Sequence, residues 1–182
     1  DGLRLHLERK VRNMHELKVV RERREGYGSL KRFRSSADVY ESFKEHFDKL
    51  DREHFLVLLL DAKNGILGFN TVSVGSLTSS LVQPREVFKP VVVHNDMVRE
   101  QYKEQELTKE ICEHMIRHSA AAVILLHNHP SGDPGPSQED LHITKRLREI
   151  GELFGIRVLD HIIFGDGKYV SFVDDGYMEK AA

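Results

Sequence analysis

The residues best suited to chemistry lie in one stretch, HNHPSGDPGPSQED, which runs from His127 to Asp140. His127 and His129 are two positions apart, so on a strand both imidazoles lie on the same face. Ser137 and Asp140 are three positions apart and share one face of a helix. Two imidazoles and one carboxylate form a three-ligand zinc site with a fourth position left for water, as in catalytic sites. Bound zinc lowers the pKa of its water to about 7, and a general base is then needed to take the proton.

Each half of this pattern also has a simpler explanation. Ser137 and Asp140 are close to a capping box, in which the serine caps a helix and the acidic side chain reaches back to its amide. A histidine pair with one residue between is common on protein surfaces. The letters His-Asn-His also occur in a class of nucleases, but those sites spread over a longer hairpin-and-helix unit and would leave Ser137 and Asp140 unused. Both halves together are far less expected by chance.

The surrounding elements place these residues at the end of a strand and the start of a helix. An apolar run predicts a central strand at Val123–His127, and a helix is predicted from Gln138 to Phe154, ended by Gly155. A second apolar run, Phe55–Leu60, predicts another buried strand. The remaining predictions are a helix at Ala37–Leu50 started by Ser36, a turn at Asp61–Gly65, a return strand at Ile66–Val74, a helix start at Pro84, a helical stretch from Glu104 or Thr108 to Arg117, and a terminal hairpin of Ile156–Phe164 with Tyr169–Val173.

The composition of the 182 residues is that of an ordinary globular protein, with 40% hydrophobic and 31% charged residues and a net charge of −2. The one cysteine, Cys112, excludes an internal disulfide and a cysteine-rich zinc finger, and we interpret it as a buried apolar residue in a helix. No apolar run is long enough to span a membrane. The first residues lack a signal-peptide pattern and an initiator methionine, so we expect a cytoplasmic location and a truncated chain.

Residues 1–35 form a basic extension in this interpretation. Its cationic side chains gather at Arg21, Arg23, Arg24, Lys31, Arg32 and Arg34. Such a cluster could attract nucleic acid, although a solvated surface is the favoured explanation. No series of aromatic residues accompanies the cluster, which weakens the case for nucleic acid.

The spacing His-x-His-x7-Ser-x2-Asp resembles the JAMM motif of JAB/MPN metalloprotease-like domains, and the chain is especially similar to the bacterial RadC family. Typical RadC phrases are FLVLLLD from Phe55, PREVF from Pro84, HNHPSGD from His127 and VLDH from Val158. The resemblance extends from about Ser36 to Val173. It implies an α/β fold, with a mixed central sheet flanked by helices in a cytidine deaminase-like architecture. The domain would comprise residues 36–182, with an insertion at about 91–117.

The resemblance also implies roles for single residues. His127, His129 and Asp140 would bind Zn²⁺, and Ser137 would hydrogen-bond the developing oxyanion or the metal-bound water. Glu53, just before the first core strand, would be the general base, a place that Glu86 and Glu139 fit less well. His161 would either contact a metal ligand without binding the metal itself or, as the favoured explanation, be a strand histidine whose ring is hydrogen-bonded within the fold.

Two functions follow. The first is a zinc-dependent hydrolase that cuts a peptide or isopeptide amide in a protein substrate. The second is a non-catalytic module in which a structural or vestigial zinc site accompanies DNA or protein binding through the basic extension. The "DNA repair" label of RadC-like proteins supports the second, but no residue of this sequence shows it.

Overall fold

The computed structural model describes residues 32–75, 82–101, 108–109, 112 and 119–179. These residues contain three helices and five strands, and they follow one another as α1 (Ser36–Phe47), β1 (His54–Leu60), β2 (Ile66–Val74), α2 (Pro84–Gln101), β3 (Ala122–Asn128), α3 (Gln138–Phe154), β4 (Arg157–Phe164) and β5 (Tyr169–Ser171). Most of the predicted basic extension lies outside the described residues. Arg32 and Arg34 are described and exposed.

The five strands form one mixed sheet in the order β2-β1-β3-β4-β5. β1 pairs antiparallel with both β2 and β3, β3 runs parallel to β4, and β4 pairs antiparallel with β5. The register places Phe55 opposite His127, and His127 beside Ile163 on the other neighbour. This architecture confirms the predicted α/β fold with a mixed central sheet.

Helices cover both faces of the sheet, because the central strands are apolar on both. Alternate residues of β1 and β3 pack against α2 and α3 on one face and against α1 on the other. The first core includes Phe55, Val57, Val123, Leu125, Val87, Val91, Ile143 and Leu147, and the second includes Leu56, Leu58, Ile124, Leu126, Val39, Phe43 and Phe47. Burial of this kind contributes about 25 cal/mol for each Å² of apolar surface, so the two cores fix the sheet firmly.

The helix ends show which local signals the sequence provides. α3 runs over the predicted range, and Gly155 ends it in the left-handed conformation with φ 67°. The predicted cap of α1 was wrong by one residue. Ser35 accepts the Asp38 amide as the cap, whereas Ser36 is buried and donates to the Asp174 carboxylate.

α2 is longer than the predicted helix start at Pro84. It continues through Pro90 to Gln101, because Val87, Val91 and Val98 form a buried face at helical spacing. The later helical stretch predicted from Glu104 or Thr108 to Arg117 lies mostly outside the described residues. None of the helices in the described ranges is long and apolar enough to cross a bilayer.

Candidate metal centre

The end of β3 and the start of α3 bring the predicted ligands together. β3 carries His127 to the edge of the core, next to Phe55 of β1. The chain then leaves β1 and turns toward β4, since the His129 amide donates to the Phe164 carbonyl at 2.9 Å. Residues 129–137, here called the β3–α3 loop, lead to the first turn of α3. The three side chains His127, His129 and Asp140 each offer one ligand atom, and these atoms all lie within 4.8 Å of one another.

His127 is buried, with 1% of its surface exposed. Its Nδ1 lies 3.2 Å from Asp140 Oδ1, yet neither ring nitrogen has a hydrogen-bond partner in the described part of the chain. Burial lowers the pKa of His127, and this outweighs the opposite effect of the nearby Asp140 carboxylate. The imidazole is therefore neutral at pH 7 and keeps a lone pair for an acceptor or a metal.

His129 is oriented by the loop that follows it. Its Nδ1 lies 2.7 Å from the Asp133 carbonyl, which can only accept, so Nδ1 carries the proton. In the neutral ring Nε2 then has the lone pair, and this nitrogen lies 3.4 Å from Asp140 Oδ2. Contact with the Asp140 carboxylate raises the pKa of His129. A metal at this place would displace the proton that the carboxylate favours.

Asp140 belongs to the helix cap and to the candidate metal centre at once. Its Oδ2 accepts hydrogen bonds from the Ser137 amide at 2.8 Å and the Ser137 hydroxyl at 2.7 Å, and the Ser137 Oγ accepts from the Asp140 amide at 3.2 Å. This is a capping box, so the simpler explanation of Ser-x-x-Asp is correct without excluding the other. Burial alone would raise the pKa of Asp140, but His127 and His129 hold it well below its usual range.

The geometry of these side chains fits a divalent ion such as zinc. Zinc bonds of about 2.0–2.1 Å in a tetrahedron place ligand atoms roughly 3.3–3.4 Å apart. His127 Nδ1 lies 3.2 Å from Asp140 Oδ1 and His129 Nε2 lies 3.4 Å from Asp140 Oδ2, so each imidazole is at about this spacing from one oxygen of the same carboxylate. The buried ring nitrogens of His127 point to the same conclusion, because an unpaired buried polar atom is costly unless something binds it.

The other two predicted residues line the same cleft, which has a volume of about 660 Å³. Its walls are formed by Glu53, His127, His129, Pro130, Ser131, Asp133, Gly135, Ser137, Glu139 and Asp140. Glu53 lies directly before β1, where the resemblance places a base. The Ser137 hydroxyl donates to Asp140 here, so it must rotate before it can donate to a substrate.

His161 lies behind the candidate ligands rather than among them. The Thr144 hydroxyl donates to the Asp140 carbonyl at 2.6 Å, so the His161 Nδ1, also 2.6 Å away, must donate to Thr144. His161 is fully buried, and burial is the main cause that lowers its pKa to about 3, with a smaller contribution from the neighbouring His127. Sequence reasoning missed Thr144, although a threonine four positions after a ligand on a helix was a usable signal.

A model of the RadC-like JAB domain family matches residues 33–97 and 104–177 of this chain. The chain belongs to the RadC family. Among RadC relatives, a UPF0758 protein of Geotalea uraniireducens is 51% identical over 152 residues, covering 84% of this chain and 56% of that protein. UPF0758 proteins of Geobacter sulfurreducens and Syntrophotalea carbinolica are 49% and 48% identical, over 81% and 90% of this chain and 54% and 63% of theirs.

The chain thus spans little more than half the length of these RadC relatives. Membership confirms the resemblance on which the predicted fold depends. Only residues 98–103 fall between the two matched ranges, inside the predicted insertion at 91–117. That insertion, and the boundary at residue 35, stay predictions.

Proposed function

We propose that this domain is a zinc-dependent hydrolase of the JAMM type that cuts peptide or isopeptide amides. The observation that carries the proposal is the convergence of two neutralisable imidazoles and an ionised carboxylate at one wall of a cleft. Surface histidines and a helix cap alone would not require ring nitrogens to be buried and unpaired beside that carboxylate. Zinc, when bound, would polarise the amide carbonyl and lower the pKa of a water molecule.

The chain's own residues supply the remaining chemistry. Glu53 takes the proton from the attacking water and returns it to the leaving amine, as a general base and then a general acid. Ser137 turns its hydroxyl from Asp140 toward the oxyanion and donates a hydrogen bond there. His129 keeps its ring orientation through the Asp133 carbonyl, which fixes the tautomer needed for metal binding.

Metal analysis tests the first step of the proposal. The wild-type protein, purified with zinc, should carry about one ion per chain, and the His129→Ala variant should lose it. A second experiment tests the chemistry on a peptide and isopeptide library. Glu53→Gln should abolish hydrolysis while zinc content is unchanged, whereas Glu139→Gln, at another carboxylate of the same cleft, should retain activity. Equal activity in both variants would refute the role of Glu53.

One observation keeps a second function in view. The capping box explains the hydrogen bonds of Ser137 and Asp140 without any reaction. A non-catalytic zinc-containing module that binds DNA or protein would have the same cap. A zinc-loaded wild type without activity on the library would favour it, and so would salt-dependent DNA binding that is lost when Arg21, Arg23 and Arg24 are replaced.

A further inference from the structure

The middle residue of His-Asn-His has a structural environment that points to a role. Phe55 and His127 are the last pair of the antiparallel ladder between β1 and β3. The next backbone pair would join His54 to Asn128, but the chain turns toward β4 there. The Asn128 side chain takes over instead. Its Oδ1 accepts from the His54 amide at 2.7 Å, and its Nδ2 donates to the Arg52 carbonyl at 3.0 Å.

These two hydrogen bonds lie on either side of Glu53. The carbonyl of Glu53 itself accepts from the Gly75 amide at 2.8 Å, on the opposite edge of the strand. The backbone around Glu53 is therefore bonded to Asn128 of β3 on one side and to Gly75, the residue after β2, on the other, although Glu53 lies just outside β1. Alternation along the strand puts its side chain on the same side of the sheet as Phe55, and so on the side of His127.

Only an amide side chain fits this position. Asn128 is 4% exposed, and one acceptor and one donor of its carboxamide face a backbone donor and a backbone acceptor. An aspartate would bring two carbonyl-type oxygens together at Arg52, and an alanine would leave both backbone groups without these partners. The same residue lies between two candidate ligands, so the distance from Glu53 to the imidazoles depends on it.

We propose that Asn128 is a positioning residue that fixes the backbone of Glu53 in register with His127 and His129. The inference rests on the proposed function for its catalytic consequence. Its structural part, the anchoring of the backbone at Glu53, stands on the hydrogen bonds alone. The ligands have supports of their own, because His127 is held in the ladder and His129 by the carbonyls of Phe164 and Asp133.

The chain provides a matched control in Asn95. This asparagine also bonds a backbone amide and a backbone carbonyl, both of Ala120, at 2.7 Å and 3.1 Å. It joins α2 to Ala120, which lies two residues before β3, at the end of that strand away from the cleft. Asn95→Ala and Asn128→Ala therefore remove the same chemistry at two ends of one strand.

Hydrogen exchange provides the test that does not depend on activity. In zinc-loaded Asn128→Ala, exchange of the His54 amide should become roughly 10- to 100-fold faster, while that of Ala120 is unchanged, and Asn95→Ala should show the reverse. Zinc affinity, measured by competition with a chelator, should stay within about 3-fold of wild type in both. Unchanged protection of His54 would overturn the proposal.

Kinetics on a library substrate test the catalytic part. Asn128→Ala should lower kcat by about 10- to 100-fold with little change in KM. An equal loss of kcat in Asn95→Ala, or a change confined to KM in Asn128→Ala, would contradict positioning. If the zinc-loaded wild type cleaves no amide, the proposed function fails and the exchange result still decides the anchoring.

Discussion

The double role of Asp140 allows the cap to be separated from the metal centre by thermal unfolding. Ser137→Ala removes the cap but none of the candidate ligands. Asp140→Asn removes the charged ligand, but its carboxamide oxygen can still accept from the Ser137 amide and hydroxyl. Ser137→Ala should therefore lower Tm both with and without zinc, whereas Asp140→Asn should lower Tm mainly when zinc is present.

The expected shifts follow from the size of each effect. Loss of a serine cap costs about 1 kcal/mol, which lowers Tm by roughly 2–4 °C in a chain of this size. Free zinc at about 1,000 times its Kd stabilises the wild type by about 4.1 kcal/mol, or roughly 8–16 °C. If the loss of the carboxylate weakens zinc binding about 100-fold, the stabilisation falls to about 1.4 kcal/mol, or roughly 3–6 °C.

Scanning calorimetry with saturating zinc and with a chelator measures both quantities. Ser137→Ala should be less stable under both conditions and should keep the full rise in Tm on adding zinc. Asp140→Asn should unfold within a few degrees of the wild type in chelator and should lose most of the rise. A full rise in Asp140→Asn would refute the assignment of Asp140 as a ligand, and a lost rise in Ser137→Ala would show that the cap itself controls metal binding.

Three further predictions concern the surroundings of the site. Gly165→Ala should weaken zinc binding in a competition with a chelator, because the added Cβ would lie 2.5 Å from a carbonyl oxygen of the β3–α3 loop and would push that loop away. Gly135→Ala is the control in the same assay, since its Cβ would have its nearest contact at 3.4 Å. Burial raises the pKa of Asp160 in the folded protein to about 6. As pH rises, the Asp160 carboxyl therefore ionises first in the unfolded chain, and the stability that this group contributes is lost between about pH 4 and 6. Urea unfolding should thus show the wild type gaining up to roughly 3 kcal/mol relative to Asp160→Asn on going from pH 7 toward pH 4, and parallel pH profiles would contradict this. Thr144→Val should cost about 1–3 kcal/mol by leaving His161 without its acceptor, whereas Thr144→Ser should be close to wild type in the same unfolding assay.

Local signals made the site's own elements predictable. β3 is an apolar run of strand length, and α3 begins after Ser137 and ends at Gly155, so its bounds could be predicted closely. Because strand and helix periodicities fix which side chains share a face, the two histidines and Asp140 could be grouped before any coordinates. The Asp140 carboxylate belongs both to the helix cap and to the candidate metal centre. The sequence pattern therefore fits both explanations and could not distinguish them.

Contacts between distant parts of the chain could not be predicted in the same way. The partners of Asn128 are 74 and 76 positions away, and they depend on the register between β1 and β3. The choice of Ser35 over Ser36 as a cap depends on Asp174, 138 positions from Ser36. α2 continues past Pro90 because its buried face outweighs the local cost of a proline.

The candidate ligands and the proposed base reach the cleft by routes of very different length along the chain. His127, His129 and Asp140 belong to one contiguous strand–loop–helix unit, which closes with a small loss of chain entropy. Glu53 arrives only after β1 has docked on β3 in register, a pairing between remote segments that forms slowly. Under the proposed function, a partly folded chain would therefore bind an ion before Glu53 is in place to accept a proton. Metal content would then report on assembly of the local unit, and turnover would report on closure of the sheet.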